Sequence, residues 1–337
     1  MKTTRIVLAS RPTGSPTTEN FRTESVELPE VGDGHVALKT LYLSLDPYMR
    51  GRMSDAESYA DPVEVGDTMV GATVSEVVES RSDTVAVGDV VLGYTGWQSH
   101  AVVDGSTVRR LDPDKAPVST ALGVLGMPGF TAYAGMTKIG RPKAGETVVV
   151  AAASGPVGSA VGQFAKIKGA RAVGIAGGPE KCAYLIDELG FDAAIDHRAD
   201  DFRDQLKAAT PDGIDVYFEN VGGAVAKAVL PRLNLYARVA VCGLIAQYND
   251  TQAPEGPDRL PGFFTRVLTK SLTIRGFIQS EFVPELYKDF LRDVAQWVED
   301  GSFRYREDVV EGLENAPEAF MGLLEGKNFG KLVVKIA

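Results

Sequence analysis

Thr147-Val148-Val149-Val150-Ala151-Ala152-Ala153-Ser154-Gly155-Pro156-Val157-Gly158 is the stretch that decides the fold. Thr147 to Ala152 is nearly continuous Val and Ala without alternation, the pattern of a parallel strand buried on both faces. A glycine turn follows, and then a helical run from Val157 to Lys168. Strand, glycine turn and helix in this order form a relative of the dinucleotide-binding fingerprint, with Ala153 at the first glycine position. Gly155 lets backbone approach a pyrophosphate and Gly158 permits close packing of helix on strand. The helix start, at Val157, offers N–H donors and the positive end of a dipole.

Outward from this stretch the same rhythm repeats. Strands are expected at Ala172–Ala176, Ala193–Asp196, Asp215–Val221, Ala237–Leu244 and Leu272–Ile278. Helices are expected between them at Glu180–Leu189, Asp201–Ala208 and Ala224–Leu233. Such alternation predicts an α/β fold with a doubly wound parallel sheet, a Rossmann domain. A polar, Pro-rich stretch, Gln247 to Pro261, is too long for a routine connection, and such loops are often functional. A last helix, Pro284–Glu299, places Leu286, Tyr287, Phe290, Leu291, Val294, Trp297 and Val298 on one face.

The N-terminal part reads instead as short strands broken by Gly, Pro and Asp, with a clear strand at Val36–Leu43. Val65-Gly66-Asp67 and Val87-Gly88-Asp89 each turn into a β-branched run, which is hairpin and barrel chemistry. After Gly301 the chain shortens into strand and loop, ending in Lys331–Ile336, and is expected to rejoin the N-terminal domain. The domains are therefore 1–128 with 302–337, and 129–301.

The 337 residues suit two domains at about 150 residues each. With 44% hydrophobic and 24% charged residues, neither disorder nor a fibrous chain is expected. A net charge of −10 argues against sequence-independent nucleic-acid binding. Cys182 and Cys242 alone cannot build a disulfide framework or a four-thiolate zinc site, and both read as small buried hydrophobes. No signal-peptide core opens the chain and no apolar run approaches the roughly 20 residues of a membrane span. A cytoplasmic protein is expected.

The end of the second strand chooses the cofactor. NAD sites place an Asp or Glu there for the ribose diol. Here Gly177-Gly178-Pro179-Glu180-Lys181 puts glycine in the acidic place, with Lys181 one turn away as a point charge for a 2′-phosphate. NADPH is the expected cofactor, and Glu180, inside the helix start, is a first-turn acid of the ordinary kind.

The chain resembles a zinc-independent medium-chain dehydrogenase/reductase of the prostaglandin reductase, alkenal double-bond reductase and curcumin reductase branch. The matching motifs are Leu45-Asp46-Pro47-Tyr48-Met49-Arg50-Gly51, Met127-Pro128-Gly129-Phe130-Thr131-Ala132-Tyr133, Ala151 to Lys166, Gly174 to Cys182 and Phe218-Glu219-Asn220-Val221-Gly222-Gly223. They continue through Val241-Cys242-Gly243, Gln247-Tyr248-Asn249, Arg275-Gly276-Phe277-Ile278 and Asn328-Phe329-Gly330-Lys331. The resemblance implies a Rossmann domain inserted into a GroES-like β-barrel catalytic domain. It also implies NADPH, a homodimer, and reduction of a carbon–carbon double bond conjugated to a carbonyl. The cofactor positions it implies fall on Gly155, Val157, Gly158, Lys181, Asn220 and Asn328, with Thr131 near the nicotinamide. Backbone of Cys242-Gly243 and Phe277-Ile278 would line the ring. One departure stands out: relatives often carry a 2′-phosphate-binding tyrosine after Ile-Asp on the third strand, where this chain has His197 followed by Arg198.

The histidines, His35, His100 and His197, and the two cysteines make no catalytic zinc set at any usual spacing. Hydride arriving at the β-carbon of an enone leaves an enolate, which needs a hydrogen-bond donor and then a proton. Tyr248 follows the fifth strand, where open α/β sheets bind ligands, and a neutral phenol is a suitable donor. Tyr59 matches a second substrate-facing tyrosine of the family. A ribose hydroxyl or water could deliver the proton. Asp46 and Arg50 read as an intradomain ion pair.

The leading expectation is thus reduction of hydrophobic enals and enones. The alternatives are an NADPH quinone oxidoreductase and a non-catalytic NADPH-binding protein. The Gln247–Pro261 loop and Phe263-Phe264 are expected to shape substrate choice, and Leu272–Ile278 to pair across a dimer.

Overall fold

The glycine-turn segment sits at the centre of a six-stranded parallel sheet in a computed structural model that describes residues 1–252 and 256–337. The chain forms two units, Met1–Gly126 with Glu307–Ala337, and Met127–Arg306. The first unit begins with β1 (Lys2–Leu8), β2 (Phe21–Glu27), β3 (His35–Ser44), α1 (Tyr48–Arg52), β4 (Thr73–Ser80), β5 (Val90–Gly93), β6 (His100–Asp104) and β7 (Arg109–Arg110). The second contains α2 (Met127–Gly135), β8 (Thr147–Ala151), α3 (Pro156–Ile167), β9 (Arg171–Ala176), α4 (Pro179–Asp187), β10 (Ala193–Asp196) and α5 (Phe202–Ala209). It continues with β11 (Ile214–Glu219), α6 (Gly223–Val229), β12 (Leu233–Val241), α7 (Leu260–Thr269), β13 (Thr273–Gly276) and α8 (Val283–Glu299). The first unit then resumes with β14 (Glu307–Glu311), α9 (Ala316–Leu324) and β15 (Lys331–Lys335).

In the second unit the strand order is β10-β9-β8-β11-β12-β13, every neighbouring pair parallel. Growth runs one way from β8 through β9 to β10 and the other way from β11 to β13. The reversal between β8 and β11 is the switch point beside which such sheets bind ligands. All five residues of β8 are buried, which explains their unbroken Val and Ala. One sheet face packs Val149, Ala151, Val173, Ile175, Tyr217 and Val239 into a core with α5 and α6. Aromatic residues of α2, α3 and α8 also pack together: Phe130, Tyr133 and Phe290 lie edge-on or tilted to one another, and Tyr133 donates to Asp293 at 2.8 Å. The apolar face of α8 thereby reaches its partners.

The first unit pairs β14-β15-β3-β4-β5-β7 in one sheet, with β6 also on β3 and a separate β1–β2 pair. The C-terminal strand β15 is interior to this sheet, parallel to β14 and antiparallel to β3. Phe21 stacks on Trp97 at 5.6 Å, and Phe320 of α9 meets Trp97 edge-on at 5.7 Å. Gly66 and Gly88 of the two Gly-Asp repeats both take positive φ, so the internal echo is two turns.

Two helices depart from the sequence reading. Phe263 and Phe264 lie in α7, which begins inside the stretch read as a loop, and Ala253 to Glu255 of that stretch lie outside the described residues. The tail after Gly301 contains α9, whose Pro317 occupies the first helical turn, where a missing N–H costs nothing. Among the described residues no helix is long and apolar enough to cross a membrane.

Candidate cofactor and active site

The carboxyl ends of the six parallel strands carry most of the candidate residues in one row. In sheet order these are His197 after β10, Gly177 to Lys181 after β9 and Ala152 to Gly158 after β8. Next come Asn220 after β11, Cys242 to Tyr248 after β12, and Phe277-Ile278 after β13. Thr131 stands on α2, where its hydroxyl donates to Met127 O at 2.8 Å. Gly135 lets that helix approach the sheet, because a Cβ there would lie 2.6 Å from Phe218 and 2.8 Å from Phe277. Tyr59 and Asn328 belong to the other unit.

After β8 the two glycines differ in kind. A Cβ on Gly158 would lie 2.4 Å from Ala152 O and 2.6 Å from Ala153 Cα, all rigid backbone. Gly155, the N-cap of α3, has φ −79° and ψ 170°, and its nearest would-be contact is Ala152 O at 3.3 Å. Gly158 is thus required by packing, whereas Gly155 meets a single, milder constraint. Half-buried Val157 sits in the first turn of α3.

At β11 and β12 the strand ends are laced together. Asn220 Nδ2 donates to Ala151 O at 2.7 Å, and the Cys242 thiol donates to Asn220 Oδ1 at 2.8 Å. One amide therefore ties β8, β11 and β12 at the switch point. Cys242, read from sequence as a bland hydrophobe, orients it, and burial followed by the charge of Glu219 pushes its thiol far up. The Glu219 carboxylate, 4% exposed, accepts from Val221 N at 2.6 Å, Gly222 N at 2.8 Å and Tyr217 Oη at 2.9 Å. Burial raises its pKa even so. Sequence reasoning assigned Glu219 nothing, although an acid closing a buried strand before Gly222-Gly223 is a signal that it fastens the turn.

Tyr248 folds back on its own turn. Its hydroxyl oxygen accepts from Leu244 N at 3.3 Å, and a Cβ on Gly243 would lie 3.5 Å from that oxygen and 3.2 Å from Asn220 O. The contact with Leu244 uses a lone pair of the phenol rather than its hydrogen. The Phe277 ring is buried edge-on against Phe218 at 6.1 Å, and Phe277 N donates to Val241 O at 3.2 Å. Ile278 N donates to Glu281 Oε1 at 2.8 Å.

In the first unit, Asp46 is held by the buried Lys331 at 3.1 Å and by the Ser44 hydroxyl, and Arg50 donates to Gly14 O at 2.7 Å. Tyr48 is pushed far above the ordinary phenol range by burial, then by Asp46 and the nearby Tyr94 and Tyr59. Tyr59 itself is 62% exposed. Asn328 Nδ2 donates to Gly330 O at 2.8 Å. Among the described residues no group of three His, Cys, Asp or Glu is arranged to hold a metal ion.

A 3-2-1-4-5-6 parallel sheet with a glycine turn at its switch point defines a dinucleotide-binding unit of the Rossmann class. Residues 4–111 match the family described as the N-terminal domain of oxidoreductase, and residues 156–296 the family described as zinc-binding dehydrogenase. The NADPH-dependent curcumin reductase of Escherichia coli (strain K12) is 54% identical over 333 residues, 99% of this chain and 96% of that protein. Prostaglandin reductase 1 of Rattus norvegicus is 43% identical over 96% of this chain and 95% of its own. The crystal structure of CurA from Vibrio vulnificus in complex with NADPH superposes with a TM-score of 0.96 at 54% identity, over 99% of both chains. The chain belongs to the zinc-independent medium-chain dehydrogenase/reductases, in the branch of curcumin, prostaglandin and alkenal reductases, and is an NADP-dependent oxidoreductase.

Proposed function

We propose that the protein uses NADPH to reduce the carbon–carbon double bond of α,β-unsaturated aldehydes and ketones, with medium or large hydrophobic substrates preferred. The observation that carries this reading is the row itself: a backbone cradle at Gly155, basic groups after β9 and β10, and a phenol after β12. The tight turn at Gly158 and the cationic setting of Gly177 suit a phosphorylated dinucleotide. Bound NADPH supplies the hydride for the β-carbon.

The enolate that hydride addition leaves takes its α-carbon proton from water or a ribose hydroxyl, and side chains hold and orient the reactants. Tyr248 donates its phenol hydrogen to the substrate carbonyl and stabilises the oxyanion as charge builds there. Leu244 N–H and the Gly243 turn aim that phenol. Asn220, fixed by Ala151 and Cys242, keeps one amide hydrogen and one lone pair for a ribose. Tyr59 is the second substrate-facing phenol, and Thr131 with the backbone of Cys242-Gly243 and Phe277-Ile278 borders the nicotinamide. Asn328 supplies a further cofactor contact. The domains read from the sequence, 1–128 with 302–337 and 129–301, differ from the two units by a few residues at their boundaries and act as the GroES-like catalytic and the cofactor domain.

A cytoplasmic homodimer completes the reading. Its support is an unpaired edge strand, β13, beside α7, whose Leu260, Phe264 and Leu268 recur every four residues and are 55%, 59% and 79% exposed. The test is consumption of NADPH, and separately NADH, with a long 2-alkenal, an aryl enone, a quinone and a simple ketone. Turnover of the alkenal or aryl enone with NADPH and little with NADH is expected, and Tyr248→Phe should lower kcat about 10²-fold. Activity confined to the quinone would make the protein a quinone reductase. Binding without turnover would make it a non-catalytic NADPH-binding protein. A loss of twofold or less in Tyr248→Phe would remove the tyrosine from the chemistry.

A further inference from the structure

The end of β9 holds more than a missing acid. A Cβ built on Gly177 would lie 3.0 Å from His197 Nε2, 3.0 Å from Arg198 Nε and 3.1 Å from Arg198 Cζ. Two basic side chains therefore lie against the position from which an NAD-type carboxylate would project. Their loop is pinned to the same place. Asp196 Oδ1 accepts from Gly178 N and from Arg198 N, each at 2.9 Å, and His197 N donates to Ala176 O at 3.0 Å. Lys181 stands in the first turn of α4, which Gly178 caps with φ +95°.

We propose that His197 and Arg198 join Lys181 in a proton-linked cradle for the adenosine 2′-phosphate, in which His197 takes up a proton as the phosphate binds. The proposal rests on the NADPH reading and adds its regulation by pH. The charged groups facing the imidazole are Arg198 and Asp196 on its own loop and Lys181 on α4, while the nearby Cys182 thiol is held above its ordinary range and stays neutral. Partial burial, then the charge of Arg198 and that of Lys181, keep the solvent-accessible ring below its usual value, with Asp196 pulling the other way. A phosphate dianion among these cations reverses the balance, because an opposite charge within contact favours the protonated ring. Arg198 remains charged throughout and adds a planar, pH-independent fork.

Proton uptake on binding makes affinity rise as pH falls. The phosphate's own second ionisation, near about 6, opposes this at lower pH, so the window runs from about pH 6.5 to 8. The experiment is calorimetric titration of the full chain with 2′,5′-ADP and with 5′-AMP across that window, in buffers of different ionisation enthalpy. For 2′,5′-ADP we expect net proton uptake and a Kd that rises roughly five-fold between pH 6.5 and 8. In His197→Gln, which keeps a neutral donor, proton uptake and the rise of Kd with pH should be lost, leaving only the opposite, weaker slope of the phosphate's own ionisation at about pH 6.5. Arg198→Ala should weaken 2′,5′-ADP roughly ten-fold at about pH 7, retain proton uptake with its pH dependence moved to higher pH, and leave 5′-AMP unchanged. Coincident pH curves for the parent and His197→Gln would overturn the proton link while leaving the NADPH reading intact. A 2′,5′-ADP affinity no better than that of 5′-AMP at any pH would overturn the NADPH reading itself.

Discussion

Gly155 and Gly158 stand three residues apart in one turn and answer to different constraints. Alanine at Gly158 forces a methyl into backbone, and overpacking of this kind costs about 1–3 kcal/mol, so Gly158→Ala should lower the urea midpoint and NADPH affinity together. Gly155→Ala has ordinary extended dihedrals, and its methyl needs Ala152 O to give by only a few tenths of an ångström. It should unfold at the parental midpoint and yet bind NADPH at least ten-fold more weakly, because the methyl stands where the backbone is meant to meet a pyrophosphate.

Lys331 is the opposite case, a charge fixed in a core. Its three hydrogens go to Leu45 O, Leu332 O and Asp46 Oδ1. Lys331→Met leaves Asp46 buried without its cation and should cost about 3–5 kcal/mol by urea denaturation. Lys331→Met with Asp46→Asn should recover part of that loss. Burial lowers the folded pKa of Lys331 below 10.5, so the unfolded chain binds more protons between the folded value and 10.5. Through that alkaline window this lysine makes stability rise with pH, and the rise should be missing from the methionine variant.

Elements that bury both faces announced themselves, and elements that bury little did not. β8 and β9 are readable because a run of Val, Ala and Ile has no other use at that length, and α8 because its apolar residues share a face, whereas β12 begins at Leu233, earlier than its interrupted pattern suggested. By contrast α7 buries none of its residues and opens on Pro261-Gly262, so its sequence resembles a loop until the backbone is seen. The candidate site divides along the same line. The packing glycine Gly158 and the place of Lys181 in the first turn of α4 were legible because both follow from the strand-turn-helix pattern. Glu219 fastens a turn only two and three residues away, a local signal the sequence carried, whereas the approach of His197 and Arg198 to Gly177 exists only through the pairing of β10 with β9. The outward stripe on α7 also makes a prediction of its own. Phe264→Glu with Leu268→Glu should shift a dimer toward monomer in sedimentation velocity, and an unchanged oligomer would place the interface elsewhere.

At the level of the whole molecule the two units differ in how far apart their partners lie along the chain. The parallel sheet is assembled from one continuous stretch between Thr147 and Gly276, whereas the other sheet joins Val333 to Ser44 and Val334 to Leu43. Closing so distant a pairing carries a larger loop entropy and slows folding. In pulse-labelled hydrogen exchange during refolding, amides of β8, β9 and β11 should gain protection before those of β3 and β15. Equal or reversed protection times would show that the long-range strands lead.

The interior position of β15 has a further meaning during synthesis. While the ribosome still shields the last segment, the first unit presents β3 without one neighbour and Leu43, Leu45 and Phe21 without the cover that Phe320, Leu332 and Val334 later provide. A chain cut before Lys331 should therefore expose apolar surface and aggregate, because what it lacks is the middle of a sheet and not a frayed end.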